Sequence, residues 1–134
     1  MADKRETCSV FIEDPVQRTV ILLRYGQGEN QGLWTVPGGL IDEEKDPREQ
    51  AEMIATEELG VEVELYPYHE KLEYPNRISH IFKGRLVDVI PTPGEIYDRI
   101  KNVSYDNILN MEMEGSIEAD MKRLDGDFFQ VYIE

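Results

Sequence analysis

Apolar residues occur in short runs, and the period of those runs changes along the chain. Thr7 to Ile12 is a brief β-rich run closed by Asp14 and Pro15. Thr19 to Tyr25 is a nearly continuous apolar stretch, the pattern of a strand buried on both faces. Gly26 to Gly32 is a polar, glycine-bearing loop, and Leu33 to Val36 a further strand. The period then lengthens to that of a helix. Ala51, Ala55 and Leu59 recur at a spacing of four, with Ile54 at the edge of the stripe. Asp46 is an N-cap, Pro47 fits the first helical position, Glu49 follows the cap by three residues, and Gly60 suits the left-handed stop. A helix over Pro47–Leu59 is predicted.

Val61, Val63 and Leu65 alternate with Glu62 and Glu64, which predicts a half-exposed strand. Tyr66 to Asn76, rich in aromatics and prolines, suits a pocket wall or a homodimer contact, and His69 reads there as a solvated loop residue. Ile78 to Ile90 is another strand, with His80 on the core parity of Ile78 and Phe82. Arg77, Lys83 and Arg85 read as its surface charge. Pro91 to Gly94 is a loop, and Ile96 to Val103 returns to the sheet. A second helix, from about Ile117 to Leu124, places Ile117, Met121 and Leu124 on one face and ends at Gly126. Phe128 to Ile133 is expected as an edge strand. Strands interleaved with two helices suit an α/β/α sandwich around a mixed β-sheet, in one domain spanning residues 1–134.

The chain of 134 residues is long enough for one sizeable core. Its 40% hydrophobic and 31% charged residues are those of an ordinary globular domain. The net charge of −14 is not ordinary, and it argues against DNA, RNA or anionic membrane as partners, because each requires a cationic face. A phosphate-bearing substrate would need a metal ion or local arginines to approach. Cys8 is the single cysteine, so no internal disulfide, zinc cluster or cysteine–histidine site is expected. No apolar leader or membrane-span-length stretch is present, and cytoplasm is the expected compartment.

Glu57 and Glu58 stand in the last turn of the predicted helix, where the helix dipole is negative. Each is unfavourable there by about 0.3–1 kcal/mol, and a divalent cation between them would reverse the sign. A chain with 28 acidic residues places glutamates on many solvated helix ends, which is the plainer explanation. Oxygen ligands of this kind suit magnesium or manganese rather than zinc. Gly38 and Gly39 make a turn whose lack of Cβ permits close backbone approach, with Gly38 read as a substrate contact. Arg24, ending the buried strand, reads either as a substrate-contacting cation or as a solvated strand-end charge.

The stretch from Trp34 through Pro37, Gly38 and Gly39 to Val61 resembles the Nudix family. The family's box is written G-x5-E-x7-R-E-U-x-E-E-x-G-U, with U a bulky apolar residue, and aligns here without a gap from Gly39 to Val61. Gly39, Glu57, Glu58, Gly60 and Val61 match, and Ala55 is an acceptable apolar residue. Lys45 stands in place of the first glutamate, Met53 in place of the arginine, and Ile54 in place of the next glutamate. The resemblance implies a loop–helix–loop that holds magnesium or manganese against a diphosphate. Its ligands would be Glu57, Glu58 and the Gly39 carbonyl, with Glu95 as an added carboxylate ligand or base. It implies metal-dependent hydrolysis of a phosphoanhydride bond in a nucleoside diphosphate linked to another moiety. Ile54 cannot accept a proton, and the pair expected at residues 45 and 53 is lost together. A catalytically weakened module that binds a nucleotide or a partner is therefore the alternative.

Overall fold

A computed structural model describes residues 5–14, 16–42, 44–87 and 96–124. In chain order these form β1 (Arg5–Asp14), β2 (Thr19–Tyr25), β3 (Trp34–Thr35), β4 (Gly38–Leu40), α1 (Pro47–Leu59), β5 (Val63–Glu73), β6 (Arg77–Leu86), β7 (Tyr97–Ser104) and α2 (Gly115–Arg123). A single 3₁₀ turn, Ile108–Asn110, precedes α2. The strands make one mixed sheet in the order β3-β2-β1-β6-β5, with β4 also paired to β1 and β7 to β2. β1 and β6 run parallel, from Arg5 opposite Arg77 to Ile12 opposite Gly84. The other strand pairs are antiparallel.

Strand parity sorts the apolar side chains onto two faces. Cys8, Val10, Ile12, Ile21, Leu23 and Phe82 pack with Ala51, Ala55 and Leu59 of α1. Phe11, Val20, Leu22 and Ile81 lie on the other face with Ile117 of α2, against which Met121 and Leu124 also pack. The expected sandwich, with one helix on each side of a mixed sheet, is the observed architecture. β2 has the predicted bounds, and its four central residues are all buried because both faces are covered.

α1 follows its sequence signals closely. The Asp46 side chain accepts the Arg48 N–H at 3.1 Å, and Gly60 ends the helix at φ 69° with its N–H donating to the Thr56 carbonyl at 2.9 Å. α2 begins earlier than its apolar stripe suggests, because the Glu114 side chain caps its first turn by accepting from the amides of Ser116 and Ile117.

Two expectations are corrected. The segment from Tyr66 onward is not a separate aromatic loop: β5 continues to Glu73 through a bulge between Leu65 and His69. Pro67 lies within the bulge, where a residue without an N–H is tolerated. Arg48 donates to the Leu65 and Tyr66 carbonyls there, at 3.1 and 2.7 Å. Lys83 is not surface charge. It is fully buried and faces Glu13 at 3.3 Å, because β6 is an inner strand covered on both sides. Arg77 is likewise paired, whereas Arg85 makes an exposed ion pair with Glu64. His80 is buried as its parity predicts, between Glu6 and His69 at 2.8 Å each. Residues 88–90, Gly126 and the expected edge strand Phe128 to Ile133 lie outside the described residues. No helix among the described residues is long and apolar enough to cross a membrane.

Candidate active site

The C-terminal end of α1 meets the Gly38–Gly39 turn through Glu58. One carboxylate oxygen accepts the Gly38 N–H at 2.8 Å, and the other accepts the hydroxyl of Tyr97 from β7. Burial pushes the Glu58 carboxyl above the ordinary range; the Tyr97 hydroxyl and Gly38 amide pull it back, and neighbouring Glu57 pushes it up again. Burial, reinforced by Glu58, raises Tyr97 far above its usual range, so its hydroxyl remains a donor. The Tyr25 ring lies 5.3 Å from that of Tyr97. Glu57 is exposed beside this buried pair.

Backbone packing explains the turn glycine. β4 lies antiparallel on β1, with Gly38 opposite Ser9 and Gly39 opposite Cys8. A Cβ on Gly38 would stand 2.1 Å from the Cys8 carbonyl oxygen, so only glycine permits this approach.

The three departures from the box have structural counterparts. Ile54 is half-buried against the α1-side core, while Met53 is 56% exposed and Lys45 is exposed. The loop brace expected from residues 45 and 53 is supplied instead by Gln50. Its side chain accepts the Asp42 N–H at 2.7 Å and donates to the Asp42 carbonyl at 2.8 Å and the Lys45 carbonyl at 3.4 Å. An uncharged amide thus holds the acidic loop to α1.

Among the described residues, no three acidic, histidine or cysteine side chains converge as a metal-binding group. Glu57, Glu58 and the Gly39 carbonyl are an all-oxygen donor set, which fits magnesium or manganese in kind. Magnesium is commonly held by one or two carboxylates, completed by water and substrate phosphates, so two carboxylates suffice for a site finished by the substrate. Glu95 lies outside the described residues. Arg24 is engaged elsewhere: its guanidinium makes paired hydrogen bonds to Asp98 at 2.8 and 3.0 Å and does not line the cavity described next.

A cavity of about 310 Å³ opens beside the turn, walled by Gly38 and Gly39 on one side and by Arg5, Arg77, Glu114 and Asp120 on the other. Asp120 is 1% exposed and is held by the Tyr74 hydroxyl at 2.7 Å, the Ser79 hydroxyl at 2.8 Å and Arg77 at 3.2 Å. Arg77 also lies over the Tyr74 ring at 4.0 Å. Cys8 lines the cavity as well, but burial pushes its thiol up to about 11, which makes it a poor nucleophile. Tyr97 and Asp120 leave no local signal in the sequence, and Arg77 reads there as surface charge, because their partners are distant in the chain. The shared parity of Arg5, Thr7 and Ser9 on β1 was the available signal for the cavity wall.

The NUDIX domain model matches residues 3–122. A Nudix hydrolase from Nitrosomonas europaea superposes with a TM-score of 0.77 at 19% identity, covering 92% of this chain and 70% of that one. A MutT Nudix hydrolase from Burkholderia pseudomallei gives 0.69 at 16% identity, covering 92% of this chain and 100% of that one. A bifunctional NMN adenylyltransferase/ADP ribose pyrophosphatase from Francisella tularensis, complexed with AMP and a manganese ion, gives 0.70 at 15% identity. That match covers 91% of this chain and 41% of the Francisella protein. No curated protein matches the chain in sequence. With the family model spanning nearly the whole chain, and the glycine turn closed onto the end of the box helix through Glu58, the chain belongs to the Nudix family.

Proposed function

We propose that this protein is a metal-dependent Nudix hydrolase that cleaves a phosphoanhydride bond in a nucleoside diphosphate linked to a second moiety. The observation that carries the reading is the hydrogen bond that fixes Glu58 to the amide of Gly38, a residue that itself lines the cavity. Magnesium or manganese, held by Glu57, Glu58 and the Gly39 carbonyl, would neutralise the diphosphate and polarise its phosphoryl oxygens. Manganese and AMP in the Francisella neighbour support that choice of ion and ligand class. The chain's own residues then have distinct tasks. Tyr97 and the Gly38 N–H hold the Glu58 carboxylate in one orientation. The glycine turn lets a ligand approach the backbone, and Glu95 supplies an assisting carboxylate. Ile54 offers no proton acceptor, so turnover is slow for the family.

A partner- or nucleotide-binding module without turnover is the second reading, favoured by that same isoleucine at residue 54. Turnover of nucleoside diphosphate derivatives, measured with manganese, magnesium and a chelator, separates the two. The hydrolase reading expects metal-dependent release of a monophosphate product that is lost in Glu57→Gln/Glu58→Gln. Metal-independent activity, or none across the panel, overturns it.

A further inference from the structure

We infer that the cavity beside the glycine turn takes a sugar phosphate portion of the substrate rather than a planar base. The inference deepens the hydrolase reading by naming what the cavity holds. Its residues are ordered along β1. Arg5, Thr7 and Ser9 share one strand face and all line the cavity, with Ser9 opposite Gly38. Arg5 stands about 13 Å further along the strand, at roughly 3.3 Å per residue. On the adjacent parallel strand Arg77 is the register partner of Arg5, so two arginines line the cavity at the end remote from Gly38.

The charges in this wall are not equivalent. Arg77 is compensated by Asp120 at 3.2 Å, and that contact fixes its direction. Glu114 is occupied at the start of its own helix, accepting from the Ser116 amide at 3.0 Å and from the Ser116 hydroxyl. Arg5 makes no ion pair with any described residue, so among the described lining residues it is the cation with no carboxylate in contact. In a chain of net charge −14, a free guanidinium beside a fixed one selects an anionic group, and phosphate fits both forks.

Between the arginines and the turn the lining is hydroxylic. Ser9 is 5% exposed, faces the cavity, and its hydroxyl bonds to no described residue. A hydroxyl that meets no protein partner in a cavity gains from a ligand hydroxyl, which both donates and accepts. Thr7 and Thr35 add two more hydroxyls, each bonded to a carbonyl at 3.4 Å, with Thr35 also hydrogen-bonded to the Tyr25 side chain. Flat bases are recognised by stacking on aromatic faces. Among the described lining residues Tyr25 is the one aromatic ring, and it already packs against Tyr97.

Calorimetric titration with ribose 5-phosphate, inorganic phosphate and adenosine, without metal, tests this. Ribose 5-phosphate is expected to bind more tightly than either of the others. Arg5→Gln should weaken it about tenfold, the loss of one charge-assisted contact, and Ser9→Ala a few-fold. Circular dichroism confirms that both variants fold. The inference is overturned by adenosine binding more tightly, by inorganic phosphate binding equally well, by no binding of ribose 5-phosphate at about 10 mM, or by affinity unchanged in Arg5→Gln. Because no metal or turnover enters the measurement, ribose 5-phosphate binding together with no turnover across the panel of nucleoside diphosphate derivatives would sink the hydrolase and leave this inference standing.

Discussion

Restoring a carboxylate at residue 54 is the sharpest perturbation of this site. Ile54 lies one helical turn before Glu57 and Glu58 and is half-buried against the α1-side core. Full burial of an isoleucine side chain is worth about 1.5–3 kcal/mol, so Ile54→Glu forfeits roughly half of that. Two like-charged neighbours at spacings of three and four add about 0.2–0.5 kcal/mol each. The variant should therefore lose about 2 kcal/mol, against a typical stability of about 5–15 kcal/mol, and remain folded. Bound magnesium would offset part of the loss by neutralising the cluster. A positioned general base contributes roughly 10²–10⁴-fold, so turnover per folded molecule should rise by at least about tenfold. The assay is product release under saturating magnesium, normalised to the folded fraction from denaturant melts. A folded variant with unchanged turnover at every magnesium concentration would refute the idea that Ile54 is what slows the chemistry.

Two further outcomes follow from ionisable groups of the sheet. Lys83→Met should destabilise the protein by about 3–5 kcal/mol, because it leaves Glu13 buried beside an apolar group; Lys83→Met with Glu13→Leu should recover most of that loss, and equal urea midpoints for the single and double variants would contradict it. His69 is held below its ordinary value, first by burial and then by His80 and Arg48, so the fold keeps it neutral where the unfolded chain takes up a proton. The unfolded state then binds more protons, and stability falls as pH drops below about 6.5 toward the lowered folded value. His69→Gln should flatten the urea midpoint between pH 7.5 and pH 5.5, and an unaltered slope would show that the sensitivity lies elsewhere.

Legibility in the sequence followed the range of the interactions. α1 was readable to both ends because Asp46, Pro47 and Gly60 act within one turn of the helix. β2 was readable because four successive apolar residues permit little else. β5 was cut short in the reading because Pro67 mimics a break, whereas the bulge absorbs it and Arg48, from another element, serves the displaced carbonyls. The meeting of Glu58 with the glycine turn follows from the spacing of the box; its second partner, Tyr97, does not, since β7 arrives from much later in the chain. Charge was least legible of all. Arg24 is committed to Asp98, Lys83 to Glu13 and Arg77 to Asp120, and none of those pairings leaves a local mark in the sequence.

The parallel pairing of β1 with β6 also bears on how the chain reaches its fold. Arg5 must find Arg77, and Ile12 must find Gly84, before the middle of the sheet exists. The antiparallel pairings of β2 with β3 and of β5 with β6 join neighbouring segments and close short loops. The central strand, though it precedes the other described strands in the chain, gains its parallel neighbour only after β6 has appeared. Loop-closure entropy is paid in full at that step, and folding rates fall as such distant contacts come to dominate. The rate-limiting event should therefore be the docking of β1, and until it happens Arg5, Ser9 and the glycine turn have no common wall to build.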